Sequence, residues 1–149
     1  MKVCFDACVV VDILGATSDL KDSFVAYDVT CLKGWEPCVP ASTIATIVYV
    51  LGSRGLSSRA EARNAAGTIA QLFDVIDLTA ADCNAAYESA MKDYEDAQVA
   101  YCALRARADV IVTRNKRDFA KSPVSAMTPA EFAAAYKPAD YEYDLVDIA

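Results

Sequence analysis

Short apolar runs alternate along this chain with longer amphipathic segments, and this alternation limits the folds that the chain can adopt. The runs KVCFD, EPCVPA, DVIDL and DVIVT each have the length of one strand, and segments with helical spacing separate them. Strands that alternate with helices form βαβ units, whose right-handed crossovers give a parallel sheet covered on both faces. We therefore predict an α/β fold with three α/β/α layers and a central parallel sheet of about four to five strands.

Helix-start signals mark several of the predicted helices. Thr128, Pro129 and Glu131 form a capping-box pattern with Pro at the first helical position. Thr79 precedes the segment AADCNAAYESAMK, and Ser42 precedes the segment TIATIVYVL. Both are residue types preferred at the N-cap. These signals predict helices that begin after Thr128, Thr79 and Ser42.

The length and composition predict one domain with its own core. The chain has 149 residues, of which 55% are hydrophobic and 23% charged. We expect the domain to span residues 1–137 and an acidic tail to span residues 138–149. The tail is either disordered or covers a basic groove on the same or a neighbouring subunit. The chain start lacks the pattern of a signal peptide and no apolar run reaches the length of a membrane span, so we expect a cytoplasmic protein without a membrane partner.

The chain contains six Cys and no His, which excludes several kinds of site. A Cys2His2 zinc site, a Ser-His-Asp triad and a His general base all need the missing residue. The Cys residues form no C-x-x-C pair, so we expect reduced thiols, with a structural Cys4 zinc site as the alternative. The net charge of −7 argues against a nucleic-acid partner unless a carboxylate cluster binds a metal ion that supplies positive charge.

Three acids fall where a parallel sheet would bring them together. Asp6 ends the first strand run, Asp118 follows the run DVIVT, and Asp96 lies at the start of the helix before that run. Ligands of open α/β sheets bind beyond the carboxyl ends of the strands. Three adjacent carboxylates repel each other unless a cation is present, and Mg²⁺ or Mn²⁺ prefers such oxygen ligands. The pattern predicts a metal-dependent phosphodiesterase site, although each acid taken alone is also explained by a turn or a helix start.

The segments around these acids resemble the PIN-domain ribonucleases, a family that includes the VapC-type toxins. VCFDACVVVDIL resembles the opening PIN motif, in which an apolar helix follows a strand-end Asp. KDYEDAQVAYCALRARADVIVTRNKRDF resembles the family's D-F-E-D-A stretch followed by a strand and T-R-N-x-x-D-F. VSAMTPAEF is similar to the usual closing strand and helix. The resemblance covers residues 2 to about 136.

The resemblance implies roles for individual residues. Asp6, Asp96 and Asp118 would be the catalytic and metal-binding acids, with Mg²⁺ or Mn²⁺ as the cofactor. Thr113 and Asn115 match polar strand-end residues that support these acids. Asp93, one helical turn before Asp96, is either an extra acid or a helix cap.

A cationic stretch next to Asp118 is a candidate contact for RNA. Arg114, Lys116 and Arg117 lie directly before this acid and could meet the phosphates that flank the cleaved bond. The alternative is a solvated surface whose positive charges balance the nearby acids.

Two positions depart from the family pattern. Thr46 stands where many PIN nucleases have an acid, usually Glu, and Cys8 stands where Asn is usual beside Asp6. The leading hypothesis is a metal-dependent endoribonuclease, the dimeric toxin of a type II toxin–antitoxin pair with an antitoxin partner. The departures motivate a second hypothesis, a catalytically weakened PIN-like module that binds RNA or a protein partner. A different metal-dependent α/β enzyme, such as a phosphatase, is the third.

Overall fold

A parallel five-stranded sheet forms the middle layer of the protein. A computed structural model describes residues 1 to 144. The strands are β1 (Lys2–Phe5), β2 (Glu36–Pro40), β3 (Asp74–Ile76), β4 (Val110–Val112) and β5 (Ala126–Met127). Their order in the sheet is β3-β2-β1-β4-β5, and each neighbouring pair is parallel. β1 therefore lies in the centre, with β2 and β4 on its two sides.

Helices cover both faces of this sheet. They are α1 (Ala7–Gly15), α2 (Leu20–Leu32), α3 (Ala41–Ser53), α4 (Arg59–Leu72), α5 (Ala80–Glu88), α6 (Tyr94–Arg105) and α7 (Pro129–Tyr136). A short 3-10 turn, Lys116–Phe119, follows β4. The predicted three-layer α/β/α fold with a parallel sheet of four to five strands is confirmed.

The side-chain alternation of the central strand divides the core into two parts. Val3 and Phe5 of β1 are buried in a large apolar cluster on one face, together with side chains of α1 to α4 and α7. Cys4 points to the other face and joins a smaller cluster that includes α6 and Phe119 of the 3-10 turn. Because successive side chains of a strand point in opposite directions, a continuous apolar run such as VCF suits a strand buried on both faces.

Two of the three predicted helix caps are present. Thr79 and Asp82 form a capping box at the start of α5, and Thr128 and Glu131 form another at the start of α7. The prediction for Ser42 is wrong, because β2 runs directly into α3 and the helix begins at Ala41, without a side-chain cap. The sequence signal failed there because the end of β2 sets the start of the helix.

An ion pair fixes α6, which carries Asp96, to α5. Arg105 Nε lies 3.0 Å from both carboxylate oxygens of the buried Asp82, and the guanidinium also donates to the Asp77 carbonyl. Burial alone would raise the pKa of the Asp82 carboxyl, but hydrogen bonds from the Thr79 backbone and from Arg105 hold this pKa below its usual range. Arg105 is therefore engaged in holding the two helices together.

The described part of the predicted tail lies against α2. Tyr143 donates a hydrogen bond of 2.6 Å to Asp28 Oδ2, and its ring makes an edge contact with Phe24 at 6.4 Å between centroids. Residues 145–149 of the tail lie outside the described residues. That the tail covers a basic groove stays a prediction. None of the helices in the described part of the chain combines the length and apolarity needed to cross a membrane.

Candidate active site

Asp6 occupies a fixed position at the carboxyl end of the central strand. It follows β1, is only 5% exposed, and caps α1 by accepting the Ala7 backbone N–H at 2.8 Å on Oδ1. Thr113 follows the neighbouring strand β4, and its hydroxyl donates to Asp6 Oδ2 at 2.7 Å. The structure therefore places Thr113 where the resemblance expects a supporting residue, and two donors hold the Asp6 carboxylate in one orientation.

Cys8 supplies a third hydrogen bond to this carboxylate. Its thiol lies 3.4 Å from Asp6 Oδ2, and its sulfur accepts the Arg114 backbone N–H at 3.4 Å. Burial, followed by the nearby Asp6 charge, raises the pKa of the Cys8 thiol to about 12. The group is therefore protonated at neutral pH and acts as a donor, the kind of contact that the usual Asn amide could also make.

Asp96 lies in the first turn of α6 within the influence of four other carboxylates. Burial is the largest cause that raises its pKa to about 7, and the charges of Asp6, Asp93, Asp118 and Glu95 follow in that order. Burial and nearby negative charges both disfavour an ionised carboxylate, so one of the clustered acids tends to keep its proton. Asp6 and Asp118 therefore both lie near enough to Asp96 for their charges to act on it, and that the three acids form one catalytic metal site stays a prediction.

Asp93 acts as the N-cap of α6. Its Oδ1 accepts the Asp96 backbone N–H at 3.0 Å, and its backbone is extended. Of the two roles suggested by the sequence, the helix cap is therefore visible in the structure. The same side chain raises the pKa of Asp96, so it also belongs to the negative environment of the site.

Glu95 is a site residue that the sequence reasoning missed. It lines the same cavity as Asp6 and Thr46, and its pKa is raised by burial and then by the Asp6 charge, while the Thr46 hydroxyl acts in the opposite direction. Thr46 comes from α3, the helix on which many PIN nucleases carry Glu. The signal was present in the sequence as the pair Glu95–Asp96, because Glu95 directly precedes a predicted site acid in the same first turn of the helix.

The cavity at the strand ends has a volume of about 330 Å³ and mixed charge. Its acidic lining comes from Asp6, Glu95 and Asp96, and its polar and cationic lining includes Thr46, Cys8, Asn115, Arg54 and Arg114. Asp118 lies outside it and lines a neighbouring cavity together with Asp93. The backbone N–H of Asn115 donates to Thr113 Oγ1 at 3.0 Å, so Asn115 is linked to Asp6 through Thr113.

The donor set fits a hydrated ion held by a few carboxylates. Within residues 1 to 144, no three acidic or thiol side chains are gathered closely enough to enclose a metal ion. Mg²⁺ usually keeps several waters and takes only one or two carboxylates from the protein, so it does not need such a cage. The buried Asp6 and the half-buried Asp96 provide that number of ligands, and the burial and neighbouring negative charges that raise the pKa of Asp96 would favour a cation beside it.

Arg114 pairs with one buried and one half-exposed acid. Its Nε lies 2.9 Å from Oδ2 of Asp12, which is fully buried in α1, and its terminal nitrogen lies 3.2 Å from Asp19. Asp12 also accepts hydroxyl hydrogen bonds from Thr17 at 2.6 Å and Ser23 at 2.8 Å. Arg114 therefore joins the end of β4 to α1 and the start of α2.

The other two predicted RNA contacts differ in their surroundings. Lys116 pairs with Glu131 at 3.0 Å, which ties the 3-10 turn to α7. Arg117 forms no ion pair among the described residues and lines the cavity that contains Asp118. That these cations contact RNA stays a prediction, and Arg117 is the member of the three best placed for it.

The comparisons agree with the family suggested by the motifs. A profile of the PIN domain family matches residues 2–117. The chain belongs to the PIN domain family. A comparison with curated protein sequences finds no match.

Several solved structures share the fold. VapBC2 from Rickettsia felis, bound to a DNA fragment from its promoter, has a TM-score of 0.67 and 14% identity over 86% of this chain and 98% of that one. A toxin–antitoxin complex from Klebsiella pneumoniae has a TM-score of 0.60 and 18% identity over 87% and 98%. PAE2754 from Pyrobaculum aerophilum has a TM-score of 0.59 and 18% identity over 90% of each chain.

Proposed function

We propose that this chain is a metal-dependent endoribonuclease that hydrolyses RNA phosphodiester bonds. The observation that carries the proposal is the partial burial of Asp96 beside Asp6 and the other acids at the carboxyl edge of the sheet, where burial first and the neighbouring charges second raise the pKa of Asp96 to about 7. Membership of the PIN domain family supports a nuclease role, since these domains are generally nucleases. Perturbed carboxylates that share a cavity are characteristic of catalytic sites.

The residues have distinct parts in this reaction. Asp6 and Asp96 would hold Mg²⁺ or Mn²⁺. Asp118, the third proposed acid, lines the neighbouring cavity. When bound, the ion acidifies a water molecule and neutralises charge on the phosphodiester. Thr113 and Cys8 orient Asp6 through their hydrogen bonds. Asp96, whose pKa is about 7 in the metal-free chain, would release its proton when it takes up the ion.

We also propose that the protein is the toxin of a type II toxin–antitoxin pair and forms a homodimer. Similar structures include VapBC2 and a toxin–antitoxin complex, which supports an antitoxin protein as its partner. A genomic neighbour that encodes a small DNA-binding protein would be the expected antitoxin. Co-expression and joint purification of the two chains tests this assignment.

The nuclease activity is tested with RNA and with a small phosphoester. We expect the full chain to cleave single-stranded RNA internally with Mg²⁺ or Mn²⁺ at millimolar concentration and to stop on addition of EDTA. Gel analysis of an end-labelled RNA gives the measurement. Hydrolysis of p-nitrophenyl phosphate that RNA does not inhibit would favour a phosphatase instead. If RNA is cleaved neither with Mg²⁺ nor with Mn²⁺, the proposal is contradicted.

The second candidate function is a weakened module that binds RNA or a protein without cleaving it. The observation that favours it is Thr46, which cannot supply the carboxylate that many PIN nucleases carry on this helix. The structure offers a counterargument, because Glu95 of α6 brings a carboxylate to the same cavity, within hydrogen-bonding reach of the Thr46 hydroxyl. Glu95 could therefore replace the missing acid.

Substitutions at Glu95 and Thr46 separate these alternatives. If Glu95 serves as the replacement acid, Glu95→Gln should lower RNA cleavage by about 10- to 100-fold, the size typical for loss of a group that supports a metal site. Thr46→Glu should then add little, because the acid it restores is already present. A strong gain of cleavage in Thr46→Glu, starting from an inactive wild-type chain, would show that the natural site is weakened.

A further inference from the structure

A second cavity adjoins the acidic site and has a different character. Its volume is about 370 Å³, and it lies between the loop that joins α5 to α6 and the turn that follows β4. Lys92 of the loop and Arg117 and Lys121 of the turn line it together with Asp93 and Asp118. We call this space the lysine–arginine cavity.

The cations of this cavity differ from the other cations nearby in having no acidic partner. Arg105 is paired with Asp82, and Arg114 and Lys116 are paired in the same way with Asp12 and Glu131. Across the described residues 1 to 144, no ion pair involves Lys92, Arg117 or Lys121, and all three are exposed. Three unpaired cations from two chain segments therefore face one concave space.

The walls of the cavity are suited to a nucleotide. Asp93 and Asp118, whose charges also act on Asp96, line the cavity together with the three cations, so an anionic group is favoured only where it contacts the cations. Met91, which is 9% exposed, is an apolar member of the lining. Thioether sulfur makes favourable contacts with aromatic rings, and an Arg guanidinium can stack on a base. The volume is within the range of small-molecule sites, about 300 to 1,000 Å³.

We propose that the lysine–arginine cavity binds one nucleotide of a single-stranded RNA next to the phosphodiester at the acidic site. The phosphate of that nucleotide contacts Lys92, Arg117 and Lys121, and its base lies against Met91. A base can enter such a cavity only when it is unpaired, which favours a single strand over a duplex. This proposal rests on the proposed ribonuclease function and adds to it the path of the substrate.

The proposal is tested by binding without cleavage. A fluorescein-labelled oligoribonucleotide of mixed sequence is titrated with the full chain in EDTA, and its anisotropy is followed at several salt concentrations. Two variants remove cavity cations, Arg117→Gln and the double variant Lys92→Gln/Lys121→Gln. The matched control is Lys21→Gln/Arg63→Gln, which removes two exposed charges from α2 and α4. Thermal unfolding of each variant verifies that the fold is retained.

We expect both cavity variants to bind the oligoribonucleotide at least about fivefold more weakly than the wild-type chain. The plot of log affinity against log salt should become shallower by about 0.7 for each phosphate that a variant no longer neutralises, as for single strands in general. The control variant should keep the wild-type affinity and slope. A base that lies against Met91 further predicts that 2-aminopurine placed in the oligonucleotide changes its fluorescence on binding to the wild-type chain.

The outcomes of this test are separable from those of the nuclease assay. Cavity variants that bind with the affinity and slope of the control would overturn the cavity proposal, even if metal-dependent cleavage is intact. If polyglutamate displaces the labelled oligoribonucleotide as effectively as unlabelled RNA does, the cavity proposal is also overturned, and an acidic peptide becomes the favoured ligand. Selective loss of binding in the cavity variants would support the RNA path, whereas failure of the nuclease itself is seen only in the cleavage assay.

Discussion

Asp96→Asn is expected to reduce RNA cleavage by about 100-fold or more while it stabilises the metal-free fold. The loss of activity follows from the position of Asp96 among the site acids. Replacing a residue that only supports a metal ligand lowers activity by about 10- to 100-fold, and a proposed ligand such as Asp96 should matter at least as much. The measurement is the initial rate of RNA cleavage with Mg²⁺. Asp118→Asn should also abolish cleavage if Asp118 is the third acid of the site.

The gain of stability follows from the pKa of Asp96. A pKa of about 7 in the folded chain, against 3.8 for an ordinary Asp, means that the folded state holds a proton that the unfolded chain has released. Stability therefore falls as pH rises from about 4 to 7, and the loss is complete above pH 7. Asn carries no such charge, so the variant should be more stable than the wild-type chain at pH 8.

The size of this effect is modest because Asp96 is only half-buried. After discounting for solvent screening, we expect about 1 kcal/mol, or roughly 3 °C in Tm at pH 8. The difference should shrink towards pH 5.5, measured by thermal unfolding in EDTA. Glu88→Gln on the exposed end of α5 is the control, since it removes the same charge away from the cavity. Equal Tm shifts for the two variants would contradict the view that the burial and acidic surroundings of Asp96 cause its raised pKa.

Asp12→Ala is expected to have the largest effect on folding stability. Asp12 is fully buried, accepts hydrogen bonds from Thr17 and Ser23, and forms an ion pair with the Arg114 guanidinium. Removal of the carboxylate leaves these donors without their acceptor at the junction of α1, α2 and β4. Hydrogen bonds to charged groups contribute about 1.5 to 3 kcal/mol each, and breaking a buried ion pair costs about 3 to 5 kcal/mol.

We expect a loss of about 3 kcal/mol in the free energy of unfolding for Asp12→Ala, because Arg114 is partly exposed and recovers some hydration. Urea unfolding of the two chains gives the value. Asp19→Ala is the matched control, since Asp19 pairs with the same guanidinium but is half-exposed, and it should cost less than about 1 kcal/mol. Similar losses for both variants would show that burial of Asp12 contributes nothing.

The features that the sequence predicted depend on local order along the chain. Asp6 and Thr113 directly follow apolar runs, so their position at the carboxyl edge is determined once the runs form parallel neighbouring strands. Asp96 lies at the start of a helix whose end leads into one of those strands. The parallel sheet, the placement of the three acids and two helix caps could therefore be predicted from spacing and topology.

The features that the sequence did not predict depend on contacts between distant segments. The pairing of Arg114 with Asp12 joins positions far apart in the chain, so Arg114 looked as available to RNA as Arg117. Nothing in the sequence separates Lys116 from the free cations either, although it pairs with Glu131 of α7. The role of Glu95 depends on which side of α6 faces the cavity, and this is decided by packing.

Binding of Mn²⁺ to the full chain, measured by calorimetric titration between pH 6 and pH 8, tests the central claim most directly. If Asp96 is a ligand whose proton must leave, the affinity should rise about fivefold between pH 6 and pH 7 and then level off. The Asp96→Asn variant should bind the ion far more weakly and without this pH dependence. Absence of Mn²⁺ binding at millimolar concentration, or equal binding by the variant, would contradict a metal site at Asp6 and Asp96.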